Sequence, residues 1–435
     1  MTGLQIAVQE MGGHMKRSRW QPLVTLGVLV TTIGGSLGLA LGPAAPSAAS
    51  TSKAPITIAL ISSLTGEAAS EFSDSPAGFK ARIALQNSMG GVNGHKLIGI
   101  VIDDQTNPST TPTAVQEAIS KGVTGIVSVT PLFFTGAKFA NQAGVPVTGG
   151  TFDGPEWGTQ PYNTNMFASD TGSVDPTYPV TTLFGNLIKK YGGSVIGSYG
   201  YGISPSSTRS AVGTALSAKR NGLNVGVLNT SVPFGSVSFG PAALVAKQNG
   251  VNVLYAGMDD NSNFALLTAL KQQGVKLKTV LFPTGYEPSI INSPTWSTLQ
   301  GAYFLSEFRP YSDPNAGTKQ MAAALQKYEH RSPSDFPTFN VYEAWMGADL
   351  MIKGLEGAGK NPTRAGVIKA LHGVTSYNGN GLLPVAINYT KSFGHDLPQT
   401  CEWILQAQKS GFALTSQTPI CGKDIPGTTE ITGAS

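Results

Sequence analysis

The stretch ITIALISSLTG, residues 56–66, has the pattern of an apolar strand that ends in a small polar turn. A helical pattern follows and stops at the Gly-Gly pair at 90–91. A second apolar strand, residues 97–102, then runs into the Asp-Asp pair at 103–104. Strand, polar turn, helix and strand in this order predict half of an open α/β sheet. Such sheets bind ligands beyond the carboxyl ends of their strands, which is where both polar turns lie.

Apolar runs of strand length alternate with helical patterns through most of the remaining chain. We predict strands at residues 56–61, 97–102, 125–129, 146–148, 194–199, 253–255, 278–282, 302–305, 385–388 and 403–406. One helix is predicted to take Thr111 as its N-cap, because Pro112 follows at the first helical position. A second is predicted over residues 340–355. Continuous apolar strands separated by helices are typical of parallel sheets buried on both faces.

Two such α/β blocks are visible in the chain. The first spans residues 54–175, and the second starts near Thr177. A turn-rich stretch, DTGSVDPTYP at 170–179, lies between them and predicts a segment that crosses from one block to the other. The run SEFRPYSDP at 306–314 predicts a second crossing.

The N-terminus has the features of a signal peptide. A basic stretch with Lys16, Arg17 and Arg19 precedes an uncharged apolar run at 23–41, and small residues allow cleavage after Ala49. We therefore expect residues 1–49 to be removed from an exported protein. No cysteine directly follows the apolar run, so a lipoprotein is not expected. An uncleaved anchor remains the alternative, because the apolar run is almost long enough to span a bilayer.

Composition restricts the remaining function classes. The chain has 435 residues, 12% of them charged, and a formal net charge of +4, so no basic face for nucleic acid is implied. Its two cysteines, Cys401 and Cys421, are expected to form a disulfide in an exported protein. Closing that loop contributes about 3 kcal/mol in the chain-entropy model. Two cysteines and scattered histidines are too few ligands for a zinc site, so no metal is expected.

Common enzyme motifs are missing from the sequence. It contains no G-x-S-x-G elbow, no Walker A run and no G-x-G-x-x-G. Four histidines stand alone in polar contexts and are expected at the surface: His95, His330, His372 and His395. Asp103 and Asp104 are adjacent at a strand end, so their side chains point to opposite sides and predict a solvated turn rather than an acid/base pair. We therefore expect neither an enzyme nor a cofactor.

Four short motifs, taken in order, carry a resemblance to a known family. They are SLTG at 63–66, GGVNG at 90–94, DDQTNP at 103–108 and AGVPV at 143–147. Together they resemble the branched-chain amino-acid-binding family of ABC-transporter substrate-binding proteins. The resemblance implies a two-lobe α/β fold of the type I periplasmic-binding-protein class, in which each lobe is a parallel sheet flanked by helices and three hinge segments cross between them. It places lobe 1 at 54–176 and 310–372, and lobe 2 at 177–309 and 373–435.

In the first lobe the resemblance implies ligand-binding residues in three strand-end turns. Ser63 and Thr65 form one wall of the cleft. The other candidates are Ser128 and Thr130 on one turn, and Thr151, Phe152 and Asp153 on the next. Hydroxyl and glycine residues in such turns leave backbone N–H groups free to hold a carboxylate.

In the second lobe the resemblance implies an aromatic and acidic wall. The candidates are Tyr201, Met258, Asp259, Tyr286 and Glu287. The family has an acidic residue for the ligand's ammonium near the position of Tyr286. In this chain Gly285 falls on that position. Asp153, Asp259 or Glu287 takes its place, or the solute has no ammonium group.

The sequence therefore predicts an exported, monomeric solute-binding protein. It is expected to deliver a small amino-acid-like or other polar solute to the membrane permease of an ABC importer by hinge closure. One alternative is a ligand-sensing module of the same fold that serves a membrane signalling partner. A remote alternative is an exported hydrolase.

Overall fold

The computed structural model describes residues 53–150, 154–157, 164–170, 180–332, 335, 337–392 and 401–426. The predicted signal peptide at 1–49 lies outside these ranges, so its cleavage stays a prediction. Within the described part of the chain, no helix combines the length and the hydropathy needed to cross a bilayer.

The first sheet has five parallel strands, arranged in the order β2-β1-β3-β4-β5. Their bounds are β1 Lys53–Ser62, β2 His95–Asp103, β3 Gly125–Val129, β4 Val147–Gly149 and β5 Met166–Ala168. The helices that follow in this part of the chain are α1 Ala69–Phe72, α2 Ser75–Ser88, α3 Thr111–Ser120 and α4 Ala137–Gln142.

The second sheet has the order β12-β11-β10-β9-β8-β6-β7, and β13 pairs with β11. Its strands are β6 Val195–Tyr201, β7 Asn224–Val232, β8 Val253–Gly257, β9 Thr279–Phe282, β10 Tyr303–Ser306, β11 Cys401–Gln408, β12 Gly411–Leu414 and β13 Ile420–Cys421. Strands β6 to β10 are parallel, whereas β11 runs antiparallel to β10 and to β12. The helices of this part are α5 Leu183–Lys190, α6 Pro205–Arg220, α7 Gly240–Gln248, α8 Asp260–Gln272, α9 Pro288–Ile291 and α10 Trp296–Leu299.

The chain returns to the first sheet after β10. Four helices lie between β10 and β11: α11 Ala316–Glu329, α12 Phe339–Gly357, α13 Arg364–His372 and α14 Tyr389–Ser392. Helix α12 is buried on almost every side and packs against α2, β3 and β4. The chain then re-enters the second sheet at β11. Each sheet with its helices forms one layer, which corresponds to one lobe. The chain passes between the two layers three times, and the two-lobe α/β fold predicted from the sequence is confirmed.

Each sheet is covered on both faces, as the continuous apolar strands predict. In β1, Ile58 and Leu60 join the core beneath α2 and α12, whereas Ala59 and Ile61 join the core beneath α3 and α4. This alternation follows from the two-residue period of a strand. Two further cores cover the two faces of the second sheet.

Most predicted strands are found with small shifts of their ends, but three details differ from expectation. Residues 385–388 form no strand; only a single bridge joins Tyr377 to Ile387. Thr111 is the first residue of α3 and Thr110 is its N-cap, while the Thr111 hydroxyl donates to Asp104. His95 is buried, with its ring nitrogens 2.6 Å and 2.8 Å from the carbonyl oxygens of Ala54 and Lys360.

The lobe bounds stay a prediction at this level of detail. Tyr377, Ile387 and Tyr389 are buried in the same core as α2 and α12 of the first layer. We therefore propose that the third crossing falls after Tyr389 rather than at residue 373. The sequence between α14 and β11, residues 393–400, lies outside the described ranges.

A disulfide joins Cys401 to Cys421, as expected for an exported chain. It links β13 to β11 at the start of the latter. Just beyond it, Ile425 donates a backbone hydrogen bond to Val180, and Thr182 donates one to Lys423. The C-terminal segment is therefore fastened to the chain at the point where it enters the second layer.

Candidate functional site

The strand order reverses once in each sheet. In the first sheet the reversal lies between β1 and β3, and in the second it lies between β6 and β8. The helices that follow two such strands cover opposite faces of the sheet, so a crevice opens at the carboxyl ends of the pair. Ser63 and Thr130 follow β1 and β3, whereas Tyr201 ends β6 and Met258 follows β8. These four sequence-predicted residues therefore lie at the two reversal points.

Asp104 organises the first crevice. Its carboxylate is 0% exposed and accepts hydrogen bonds from the hydroxyls of Ser63 at 2.7 Å, Thr111 at 3.1 Å and Thr130, and from the backbone N–H of Thr106 at 3.0 Å. A buried carboxylate needs such donors because its desolvation is otherwise very costly. The predicted solvated turn is therefore wrong for Asp104, which is a buried structural acceptor.

The two predicted wall residues Ser63 and Thr130 are brought together, with their hydroxyl oxygens 3.1 Å apart. Both hydroxyls are buried and donate to Asp104. They therefore fix the backbone of the two strand-end turns that line the crevice. Ser63 and Thr130 thus connect the ends of β1 and β3 across the reversal point.

Asp103 points the other way and holds the turn that contains Thr65. Its carboxylate accepts from the backbone N–H groups of Leu64 at 2.9 Å and Gln105 at 2.8 Å, and from the Thr65 hydroxyl at 2.5 Å. Burial raises the pKa of Asp103, but these hydrogen bonds together lower it below its ordinary value. Thr65 itself is exposed at the rim.

The remaining first-layer candidates do not join this network. Ser128 is buried within β3, and by strand alternation its side chain lies on the face opposite to Val127 and Val129. Its hydroxyl has no hydrogen-bond partner among the described residues. Thr151, Phe152 and Asp153 lie outside the described residues, so their roles stay predictions.

In the second layer, the structure brings Tyr201 and Asp259 into direct contact. The tyrosine hydroxyl donates a hydrogen bond to the carboxylate of Asp259, and it also lies 2.6 Å from the Ser262 hydroxyl. Asp259 caps helix α8 by accepting from the backbone N–H of Ser262 at 3.0 Å. Met258 is buried beside them. Asp259 is thus occupied as a helix cap, an ordinary role for aspartate at this position.

Tyr286 and Glu287 lie on the next strand-end turn, after β9. Tyr286 is buried and packs edge-on against Phe412, with ring centroids 5.1 Å apart. Burial raises the pKa of its phenol. Glu287 precedes helix α9, is partly buried and accepts a hydrogen bond from the Ser289 hydroxyl at 2.9 Å.

The two layers touch each other beside these crevices. The side-chain amide of Asn261 at the start of α8 donates to the hydroxyl of Ser70 on α1 at 3.1 Å. Phe234, which follows β7, packs against the cores of both layers, and its ring lies 4.7 Å from that of Tyr201. The crevices are therefore parts of a single cleft between the layers.

Two carboxyls that sequence reasoning did not select interact electrostatically with Glu287. Asp260 begins α8, is 5% exposed and has a pKa raised well above its ordinary value by burial and by Glu287 and Glu71. Glu71 on α1 has a raised pKa through burial and the charges of Asp259 and Glu287. The adjacent aspartates after β8 could have indicated Asp260, whereas no local pattern marks Glu71.

Two other features could bind small groups. Asp170, Glu307 and Glu343 place one ligand atom each within 4.8 Å of one another, and this is the only such metal-like group among the described residues. Each of the three also has polar or electrostatic partners. A groove of about 550 Å³ adjoins Asn261 on α8, between Val237 and Thr295. No acidic or basic side chain lines it, so it lacks the charged groups of the cleft.

Comparison with known proteins accords with this geometry. The model of the family described as periplasmic binding protein matches residues 55–412. No curated protein sequence matches the chain significantly. The structural match to a branched-chain amino-acid ABC transporter protein from Thermus thermophilus, solved with bound valine, has a TM-score of 0.69 at 16% identity and covers 85% of this chain and 97% of that chain.

Two further solved structures have similar folds and different ligands in their names. A fatty acid ABC transporter substrate-binding protein from Thermomonospora curvata matches with a TM-score of 0.68 at 18% identity, covering 86% of this chain and 93% of that chain. A solute-binding protein from R. palustris, in complex with 4-hydroxybenzoate, matches with a TM-score of 0.68 at 17% identity. This match covers 86% of this chain and 98% of that chain. These similarities establish a shared fold.

Proposed function

The chain belongs to the periplasmic binding protein family, and we propose that it is the extracytoplasmic solute-binding protein of an ABC importer. In this proposal a small, polar, amino-acid-like solute binds in the cleft between the two layers. The hinge then closes over the solute, and the loaded protein docks as a monomer on a membrane permease. The protein itself performs no chemical reaction and needs no cofactor.

The position of the two reversal points carries this proposal. Both lie on one cleft, and the layers already meet there through Asn261 and Ser70 at 3.1 Å. A solute held at the ends of β1 and β3 on one side and of β6 and β8 on the other would contact both layers at once. Only a ligand with such simultaneous contacts favours the closed state over the open one.

The charges of the cleft support an amino-acid-like solute over a simple organic acid. The structural relatives have valine, a fatty acid and 4-hydroxybenzoate in their names. In this chain Asp259, Asp260 and Glu287 stand on the second layer of the cleft, and Glu71 stands on the first. Because burial raises the pKa of Asp260 and Glu71, an ammonium group would favour their ionised form and bind well, whereas a solute whose only charge is a carboxylate would disfavour it.

The experiment is a ligand screen of the purified protein. Melting temperature and intrinsic tryptophan fluorescence, to which Trp157 contributes, are followed while amino acids, amides, short aromatic acids and fatty acids are added one at a time. A solute present at 100 times its Kd should add about 2.7 kcal/mol to the free energy of unfolding. The proposal fails if no compound of the panel changes either signal.

Uptake distinguishes import from sensing. Cells that lack this gene should lose accumulation of the labelled solute identified in the screen and regain it with the gene restored. Unchanged accumulation would favour the sensing alternative.

A further inference from the structure

A tight turn of the second layer lies against the first layer beside the reversal point of the second sheet. It follows β7 and has the sequence PFGS at 233–236. The backbone N–H of Ser236 donates to the carbonyl of Pro233 at 3.2 Å, and Gly235 has a φ of 71°. A hydrogen bond from the fourth residue to the first and a glycine of positive φ in third place are features of a type II turn. The turn places Phe234 at its tip, beyond the carboxyl end of β7.

Phe234 contacts both layers. Its half-buried side chain packs against the core of the second layer and also against the core of the first. Its ring lies 4.7 Å from that of Tyr201 with an interplanar angle of 55°, a separation at which aromatic pairs attract. Tyr201 and Phe234 belong to the same layer, so this ring pair persists when the layers separate. The contact of Phe234 with the first layer exists only when the layers meet.

Tyr201 gives Phe234 a fixed surface to pack on. Its hydroxyl donates to the Asp259 carboxylate and lies 2.6 Å from the Ser262 hydroxyl, and the whole residue is only 3% exposed. The side chain cannot rotate away without losing these bonds. Phe234 is therefore held at the end of β6, where the second sheet reverses and where the proposed solute binds.

Two further contacts on this side of the cleft join the layers. Gly235 lies against Glu67, in the turn between β1 and α1: a Cβ at position 235 would come within 3.1 Å of the Glu67 Oε2 atom. Three residues beyond Glu67, the Ser70 hydroxyl accepts the hydrogen bond from Asn261. Both contacts are polar and solvent-exposed, whereas Phe234 removes apolar surface from water, which is the main driving force of association.

From these contacts we infer that Phe234 is a latch residue, which holds the two layers together over the bound solute and so sets how long the solute stays. A group that contacts the opposite layer only in the closed state shifts the equilibrium toward that state. Its loss favours opening and therefore speeds release of the solute. The inference rests on the proposed function, because it assigns Phe234 a positioning role in the same cleft.

The test uses Phe234→Ala and Phe234→Gln with two matched variants. Both remove the apolar ring from a half-buried turn position, so the cores of the two layers stay intact. Phe234→Leu keeps an apolar side chain and should restore most of the behaviour of the wild type. Val237→Ala removes apolar surface from the same segment at a residue that is 65% exposed, and it should change nothing.

The first measurement needs no solute. Small-angle X-ray scattering of the purified, ligand-free protein gives its radius of gyration, and a melting curve shows that each variant is folded. We expect a larger radius of gyration in Phe234→Ala and Phe234→Gln than in the wild type, because the open state becomes more populated. Phe234→Leu and Val237→Ala should have the radius of the wild type.

The second measurement follows binding by stopped-flow tryptophan fluorescence. Its probes are valine, glutamine, 4-hydroxybenzoate and decanoate, one for each class of the ligand screen. For a probe that binds the wild type, we expect Phe234→Ala to raise the dissociation rate and the Kd about tenfold, with little change in the association rate. A defect confined to local folding would lower the fraction of active protein and leave the dissociation rate unchanged.

The possible outcomes separate the latch from the proposed function. If a probe binds the wild type and leaves Phe234→Ala and Phe234→Gln no faster, the latch is overturned while solute binding stands. An equal change in Val237→Ala also overturns it. If neither the probes nor the other compounds of the screen bind the wild type, the proposed function fails and scattering decides the latch alone. The same radius of gyration in all variants then overturns it, and a larger radius in Phe234→Ala and Phe234→Gln alone supports it.

Discussion

Asp260 fills the space in front of Gly285. Its Oδ1 atom lies 3.2 Å from the point that a Cβ at position 285 would take, and the rings of Phe264 and Phe304 come within 2.9 Å and 3.0 Å of the same point. Gly285 also has a φ of 90°, which residues with a side chain rarely adopt. The turn after β9 therefore excludes a side chain at this position, and a carboxylate from α8 stands there instead.

Replacing Gly285 by alanine should destabilise the protein more than the same change at Gly274. Gly274 has a φ of 76° with nothing within 4 Å of its Cβ position, so it reports the backbone cost alone, about 1 kcal/mol. The crowding at Gly285 adds about 1–3 kcal/mol. Denaturant unfolding of both variants measures the difference. Equal losses in the two variants would show that the turn has room for a side chain.

Asp104→Asn should destabilise the protein by about 2–3 kcal/mol. The change removes an acceptor that three hydroxyls and one backbone N–H share inside the first layer. The matched control is Glu117→Gln, which removes an exposed ion pair with Lys121 and should cost less than about 1 kcal/mol. Unfolding curves of the two variants decide the matter, and a loss at Asp104 no larger than that of the control contradicts the buried role.

Asp103 should make stability depend on pH in the acid range. Its folded-state pKa lies below the ordinary 3.8, because hydrogen bonds from Thr65, Gln105 and Leu64 outweigh the effect of burial. The carboxylate therefore contributes stability that is fully present above the unfolded pKa and is lost as pH falls through the folded pKa. Free energies of unfolding between about pH 5 and about pH 2 should fall more steeply for the wild type than for Asp103→Asn. Parallel curves would show that Asp103 contributes no pH-dependent stability.

Removing the disulfide should cost about 3 kcal/mol, because it closes a loop between residues 20 apart in sequence. The double variant Cys401→Ser, Cys421→Ser should melt at a lower temperature than the oxidised wild type. Reductant should lower the melting temperature of the wild type toward that of the variant and leave the variant unchanged. A wild type insensitive to full reduction would show that strand pairing alone holds the C-terminal segment.

Sequence patterns predicted the fold because its central strands are apolar runs buried on both faces. Residues 125–129 match β3 at both ends, and residues 340–355 lie within α12. Strand β7 escaped prediction because it is an edge strand with mostly half-buried residues and polar Asn229 and Ser231 among them. Strands β5 and β13 escaped because three and two residues are too few to give a pattern.

The candidate site was predictable only where it is local. Strand-end turns located Ser63, Thr130, Tyr201 and Asp259, because sheet topology brings such turns together. The approach of Glu71 to Glu287 depends on how two layers meet, which no spacing in the sequence encodes. The burial of Asp104 likewise depends on hydroxyls from three separate segments.

A crystal structure of the protein with the tightest-binding solute of the panel tests the central claim most directly. The account predicts density for the solute between the ends of β1 and β3 and those of β6 and β8, in contact with both layers. Solute found only in the groove between Val237 and Thr295, or bound to one layer with the cleft empty, would contradict it.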